Sequence, residues 1–270
     1  MTRMFAARGA GGFFSEARVC ITTARVHNSL WIVRKESFME QLRIYLSGIM
    51  AGLAIALGGT VYLSVENQII GALFFTVGLF TVCTMNFHLY TGRVCYLFEN
   101  DKSYALHLPL IWFGNLTGAF LTAQLLMLTR LAPALTARAV LLCETKLTDN
   151  LGSSFILAVF CNLLIFIAVD GFKNHEHEIG KYLGLFFGVV AFILCGFEHC
   201  VADMYYVPAG IFAYLNPAYT GLIDAAGINT ALLTFGDFIF ANLIPVTLGN
   251  IVGGVAVGLV MYACHGTKRA

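Results

Sequence analysis

The chain has 270 residues, of which 59% are hydrophobic and 11% charged, and its formal net charge is +1. Soluble domains carry about 25% charged residues, so this composition excludes a water-soluble globular protein. The net charge does not bear on nucleic-acid binding, but the sequence contains no basic stripe interleaved with aromatic residues, so we discard nucleic acid as a partner.

Residues 1–38 differ in character from the rest of the chain. They are rich in cations, serine and threonine, and they contain no long apolar run. This pattern resembles a transit peptide. It is also what we expect if translation begins at Met39 and the upstream stretch is an over-extended reading frame. Under both interpretations we predict a basic extension over residues 1–38, outside the core, and a transport domain over residues 39–270.

Six long apolar runs follow, and none of them contains Asp, Glu, Lys or Arg. Most exceed the ~18 residues expected of a helix that spans a membrane. They cover residues 44–65, 69–92, 105–129, 151–169, 182–197 and 238–266. The sequence therefore predicts an all-α integral membrane protein with six transmembrane helices, surrounded by a lipid bilayer.

The cations are distributed unequally between the two sides of these predicted spans. Twelve lie on the side of the termini and three on the other side, and the count is six against three without residues 1–38. The positive-inside rule then places both termini in the cytoplasm, and we expect the protein in the cytoplasmic (inner) membrane. The twelve are Arg3, Arg8, Arg18, Arg25, Arg34, Lys35, Arg43, Lys102, Lys173, Lys181, Lys268 and Arg269; the three are Arg130, Arg138 and Lys146.

An internal repeat links the third span to the sixth. GNLTGAF at residues 114–120 is similar to GNIVGGV at residues 249–255, and each has a proline a turn and a half upstream, Pro109 and Pro245. Small residues four apart let helix backbones approach closely in lipid. Because each repeat contains three spans, an odd number, the two halves are inverted in the membrane. Such 3+3 repeats typically place a transport site at the midplane.

The second and fifth spans, which correspond in this repeat, both contain polar residues at mid-membrane depth. These stretches are residues 84–93 and 196–208. Backbone leaves the helix at this depth only where protein or a water-filled cavity receives its polar groups. We therefore predict that both spans are broken and that the breaks line a pathway.

Three ionisable residues, Glu198, His199 and Asp203, lie within the fifth span. Ionisable groups at such depth are costly and are functional candidates by default. We assign Glu198 and Asp203 a structural role in holding the break. His199 is the candidate for the pathway, since imidazole changes charge near neutral pH. Thr91 and Asn250 are expected to be its polar partners.

The fifth-span segment GFEHCVADMYYVP resembles the signature of the formate/nitrite transporter family, whose usual form is close to GFEHSIANM. Further segments of the chain are similar to sequence blocks of that family and occur in the same order along the sequence. The resemblance covers about residues 40–265. The blocks are Leu89 to Thr91, Gly114 to Ala119, Cys161 to Leu164 and Asn242 to Gly254.

The resemblance implies an aquaporin-like protomer assembled as a homopentamer, with one pore in each subunit. It makes His199 the central pore histidine, with Thr91 and Asn250 as partners, and places Asn162 in a family block of the fourth span. Lys146 matches a lysine that attracts anions in the outer vestibule. The apolar constrictions fall at Phe75, Leu79, Leu89, Ile165 and Phe192.

Two residues depart from the family pattern, because Cys200 and Asp203 stand where serine and asparagine are usual. Asp203 adds an ionisable carboxyl group near the predicted pathway, where the usual asparagine is neutral. We weigh two states for it, a protonated carboxyl and an ion pair with Arg93 of the second span.

We therefore predict a channel or proton-coupled transporter for small monovalent anions, of the formate, nitrite or hydrosulfide class. In this scheme His199 stabilises the anion or lends it a proton. We expect no enzymatic activity, cofactor or metal. One alternative is a channel for neutral small solutes. Another is an intramembrane metal enzyme built from Cys195, His199, Cys200 and Asp203.

Overall fold

The computed structural model describes the backbone of residues 11–265 and the side chains of residues 38–264. The chain divides into a segment, Met1–Arg43, and a larger compact unit, Ile44–Ala270. The predicted basic extension falls in the first segment, and its side chains up to residue 37 lie outside the described residues. The domain boundary at residues 38 and 39 therefore stays a prediction.

Over the described residues the regular structure is helical. A short 3₁₀ turn, Pro217–Tyr219, and a π-helical segment, Phe238–Leu243, join the α-helices. The α-helices are α1 (Gly11–Ser64), α2 (Gln68–Thr84), α3 (Tyr90–Val94), α4 (Lys102–Met127), α5 (Ala132–Thr148), α6 (Leu151–Asn174), α7 (Glu178–Leu194), α8 (Cys200–Tyr214), α9 (Thr220–Ala225), α10 (Phe235–Asp237) and α11 (Ile244–His265).

Four stretches within this described region are long and apolar enough to cross a membrane, namely Phe38–Ser64, Lys102–Met127, Leu151–Asn174 and Phe235–Cys264. The other two predicted spans are each built from two helices, α2 with α3 and α7 with α8. The prediction of six spans with a broken second and fifth span is thereby confirmed.

The two breaks have the same local geometry. Each leaves five residues between the end of one helix and the start of the next, Met85–Leu89 and Cys195–His199. The second residue of each break has a positive φ, 52° for Asn86 and 67° for Gly196. Asparagine and glycine are the residues that adopt this left-handed conformation at low cost. The sequence therefore encodes the same sharp turn twice.

The glycines of the repeated motif bring helix backbones into contact. Gly114 and Gly118 of α4 lie against the carbonyl oxygens of Tyr45 and Ile49 in α1. In the other half, Gly249 and Gly253 of α11 lie against the carbonyl oxygens of Phe155 and Val159 in α6. A Cβ at these positions would clash with backbone. Matching contacts in the two halves agree with the inverted repeat.

Large apolar side chains lie on the outside of the unit. Phe74, Phe187 and Phe240 are 57%, 70% and 72% exposed. Such side chains are stable at an outer surface that faces lipid or another subunit rather than water. The hydrophobic core and the polar groups described next lie between the helices.

Candidate functional site

Two asparagines of the repeated Gly-Asn motif clamp the two helix breaks. The Asn250 Oδ1 accepts the Cys200 N–H at 2.9 Å, and its Nδ2 donates to the carbonyls of Glu198 and Ala158 at 3.0 and 2.8 Å. These contacts satisfy backbone groups on both sides of His199 that the helices leave without partners.

The second span has the same clamp, made by Asn115. Its Oδ1 accepts the Tyr90 N–H at 2.8 Å, and its Nδ2 donates to the carbonyls of His88 and Gly48 at 2.9 and 2.8 Å. We did not assign Asn115 to the site from the sequence. The signal was present, because Asn115 holds the position in GNLTGAF that Asn250 holds in GNIVGGV.

The His199 side chain lies at the start of α8 and is 2% exposed. The Ala202 N–H donates to its Nδ1 at 3.0 Å, and its Nε2 lies 2.9 Å from the Thr91 Oγ1. Because Nδ1 accepts a hydrogen bond, the ring is held as the neutral tautomer with its proton on Nε2. The ring also stacks on Phe192, with centroids 5.7 Å apart.

Thr91 is thus the partner of the His199 ring, as predicted, whereas Asn250 differs from our expectation. The Asn250 amide bonds to three backbone atoms and no hydrogen bond joins it to the imidazole. The reason is that the break leaves backbone N–H and C=O groups without helical partners. A buried backbone group without a hydrogen bond is costly, and the Asn250 amide satisfies two such groups, the Cys200 N–H and the Glu198 C=O. Asn250 therefore holds the loop that carries His199.

Two cavities approach the Thr91–His199 contact. The first, which we call the lysine cavity, has a volume of about 130 Å³, and Lys146, His199 and Phe192 line it. The second, which we call the arginine cavity, has a volume of about 310 Å³, and Arg93, Lys173 and Lys181 line it. Leu89 and Gly92, on either side of Thr91, also line the arginine cavity. The Thr91–His199 hydrogen bond therefore lies between the two.

The residues predicted to form constrictions are all buried, and some of them line one of the two cavities. Phe75 and Phe192 line the lysine cavity, with their rings edge to face at 5.9 Å, and Leu89 lines the arginine cavity. Leu79 and Ile165 are 1% and 2% exposed and lie in the core.

Asn162 supports the Thr91 side of the contact. Its Nδ2 donates to the Thr91 carbonyl at 3.1 Å and lies 3.5 Å from the Cys95 Sγ. The side chain is fully buried. Asn162 is therefore placed to position α3, and with it the Thr91 hydroxyl.

Lys146 is a buried residue that pairs with two carboxyl groups. Its Nζ lies 2.6 Å from the Glu198 Oε2 and 2.8 Å from the Asp203 Oδ1. The pairing of Asp203 with Arg93 that we considered is wrong, because Asp203 points into the lysine cavity and Arg93 lines the arginine cavity. Glu198 lies in the break and Asp203 in the first turn of α8, and Lys146 is the partner of both carboxyl groups.

The structure gives the metal-enzyme alternative no support. Within the part of the chain that the structure describes, no three His, Cys, Asp or Glu side chains are grouped as a metal site requires. Cys195 is exposed, whereas Cys200 is buried.

Comparison with known proteins identifies the family of this chain. Residues 27–264 match the formate/nitrite transporter family. The formate channel FocB of Escherichia coli (strain K12) is 28% identical over 244 residues, 83% of this chain and 86% of that protein. The uncharacterized transporter YrhG of Bacillus subtilis (strain 168) is 31% identical over 260 residues, 86% of this chain and 91% of that protein.

The fold of this chain is similar to that of a solved structure. A pentameric formate channel with formate bound superposes with a TM-score of 0.73 at 28% sequence identity, over 84% of this chain and 97% of that chain. The family match over residues 27–264 and the similarity over most of the chain establish the relationship. The chain belongs to the formate/nitrite transporter family and is a multi-pass membrane protein.

Proposed function

We propose that the protein passes small monovalent anions, of the formate, nitrite or hydrosulfide class, across the cytoplasmic membrane. The observation that carries this proposal is the pair of cavities that lie on either side of the Thr91–His199 hydrogen bond. Two similar proteins whose names are those of formate channels support it.

His199 serves as a hydrogen-bond donor to the passing anion. Its Nε2–H, now directed at Thr91, is the group that an anion between the cavities would meet. A neutral ring whose Nδ1 already accepts the Ala202 N–H cannot lend its remaining proton without becoming an anion. Of the two roles predicted for His199, we therefore propose stabilisation rather than proton donation. The N-terminus of α8 adds its positive dipole end at the same place.

The apolar residues around the contact set the cost of passage. An anion that leaves water for the space between Phe75, Phe192 and Leu89 loses its hydration shell, whereas its neutral conjugate acid loses much less. Transport therefore favours anion and proton moving together. Channel-like passage and proton symport differ in whether that proton crosses the membrane with the solute. In both cases we propose that the solute itself is not chemically converted.

The test of this proposal is uptake into proteoliposomes, with formate, nitrite, hydrosulfide, lactate and acetate compared at two values of pH. We expect saturable uptake of some of these anions, greater than in empty liposomes and greater at the lower pH. Glycerol and urea serve as neutral solutes in the same vesicles. Uptake of these neutral solutes without uptake of any anion would favour the alternative, a channel for neutral solutes.

We also propose a homopentamer with a pore in each subunit, and both termini in the cytoplasm. The pentameric relative supports the assembly, and the distribution of cations supports the orientation.

In a cysteine-free background, Asp224→Cys should react with a membrane-impermeant thiol reagent added outside the cell, and Lys102→Cys only after permeabilisation. Both positions are exposed. The opposite pattern of labelling would reverse the orientation.

A further inference from the structure

The cluster of Lys146, Glu198 and Asp203 contains one more acidic group than basic group. All three side chains are at most 10% exposed, and both carboxyl groups contact the same Nζ. When all three are ionised, the cluster carries one net negative charge. An uncompensated charge in a buried site is costly, and two carboxylates in one site favour binding a shared proton.

The other titratable groups around Asp203 supply no second positive charge. The His199 ring is held as its neutral tautomer, and cysteine and tyrosine are ordinarily uncharged at neutral pH. A further cation, Arg138, lies over the ring of Tyr62, a residue that lines the lysine cavity. Its guanidinium is 5.1 Å from the centroid of that ring and bonded to the Val65 carbonyl, and Lys146 rather than Arg138 forms the ion pairs with Glu198 and Asp203. The groups that face Asp203 are Lys146 on α5, Glu198 and His199 in the break, Cys161 on α6, and Cys200 and Tyr206 on α8.

We propose that Asp203 makes entry of a monovalent anion into the lysine cavity conditional on a proton held by the Glu198–Asp203 pair. This inference rests on the proposed function, because it concerns the form in which that function accepts its solute. With the proton bound the cluster is neutral and its ammonium attracts the anion. Without the proton the cluster is negative and repels an anion a few ångströms away, in a site where charges are poorly screened.

The coupling works in both directions. If a proton on the pair favours the anion, the anion favours the proton by the same factor. Filling the lysine cavity with formate should therefore draw protons from solution at a pH where the empty pair is ionised. Flux should rise as the pH falls, because the neutral state of the cluster becomes more populated.

Asp203→Asn tests the proposal, since it removes one carboxyl group and leaves an amide oxygen for Lys146. In proteoliposomes we expect its formate flux to rise less steeply than wild-type flux as the pH falls, and to exceed wild type roughly tenfold at alkaline pH. Adding formate to the purified wild-type protein should take up protons from a weakly buffered solution, and the variant should not. Asp224→Asn, which removes an exposed carboxylate from α9, is the matched control and should behave as wild type.

An Asp203→Asn protein with the wild-type pH profile and wild-type proton uptake would overturn the proposal. If this variant does not assemble, Glu198→Gln removes the same charge from the cluster and should flatten the pH profile of formate flux equally. An unchanged pH profile in Glu198→Gln would also overturn the proposal. The proton measurement on wild-type protein requires no variant, and absence of uptake also overturns the inference. Failure of the proposed function differs from these results, because wild type and the Asp224→Asn control would then carry no anion at any pH.

Discussion

Replacing Asn250 by alanine should destabilise the protein strongly enough to reduce its assembly. The amide satisfies the Cys200 N–H and the Glu198 carbonyl, which lie in the break between α7 and α8. A buried polar group left without a partner costs about 1–3 kcal/mol, and hydrocarbon offers no water to replace the amide. We expect a lower midpoint of thermal unfolding and a smaller assembled fraction in detergent.

Asn115→Ala should have a similar effect, because Asn115 makes the same three kinds of contact at the other break. Asn150→Ala is the matched control. Its side chain is exposed and accepts only the Ser153 N–H at the start of α6, so its loss should cost about 1 kcal/mol. If Asn250→Ala were as stable as Asn150→Ala, the amide clamp would not hold the break.

Replacing His199 by asparagine should separate the two functions of the imidazole. The shorter amide oxygen can still accept the Ala202 N–H, since asparagine is a favourable residue at the start of a helix. Nothing then occupies the position of Nε2, so the donor facing Thr91 is lost. A hydrogen bond to a charged group contributes about 1.5–3 kcal/mol, which corresponds to a fall in anion flux of about 10- to 100-fold.

Much of the fold could be predicted from the sequence because lipid imposes a simple rule on composition. The uncharged run at residues 105–129 corresponds closely to α4, Lys102–Met127, and the run at residues 151–169 lies within α6. The breaks were also predictable, since Asn86 and Gly196 stand among polar residues in otherwise apolar spans.

The partners of the site residues were harder to predict, because they come from distant parts of the chain. Nothing near Lys146 in the sequence indicates that it pairs with Glu198 and Asp203, which reach it only because α5 packs against α8. The role of Asn250 was misjudged for a related reason. The polarity of its side chain was evident, whereas the backbone groups that bind it become unpaired only in the folded break.

The measurement that most directly tests whether anions pass the Thr91–His199 contact is formate flux against pH for wild type and His199→Asn, with assembly state determined on the same preparations. We predict a fully assembled variant whose flux is about 10- to 100-fold lower at every pH, with the pH dependence retained because it belongs to the Glu198–Asp203 pair. An assembled variant with wild-type flux would contradict the pathway. Loss of the pH dependence would contradict the neutral-donor role of His199.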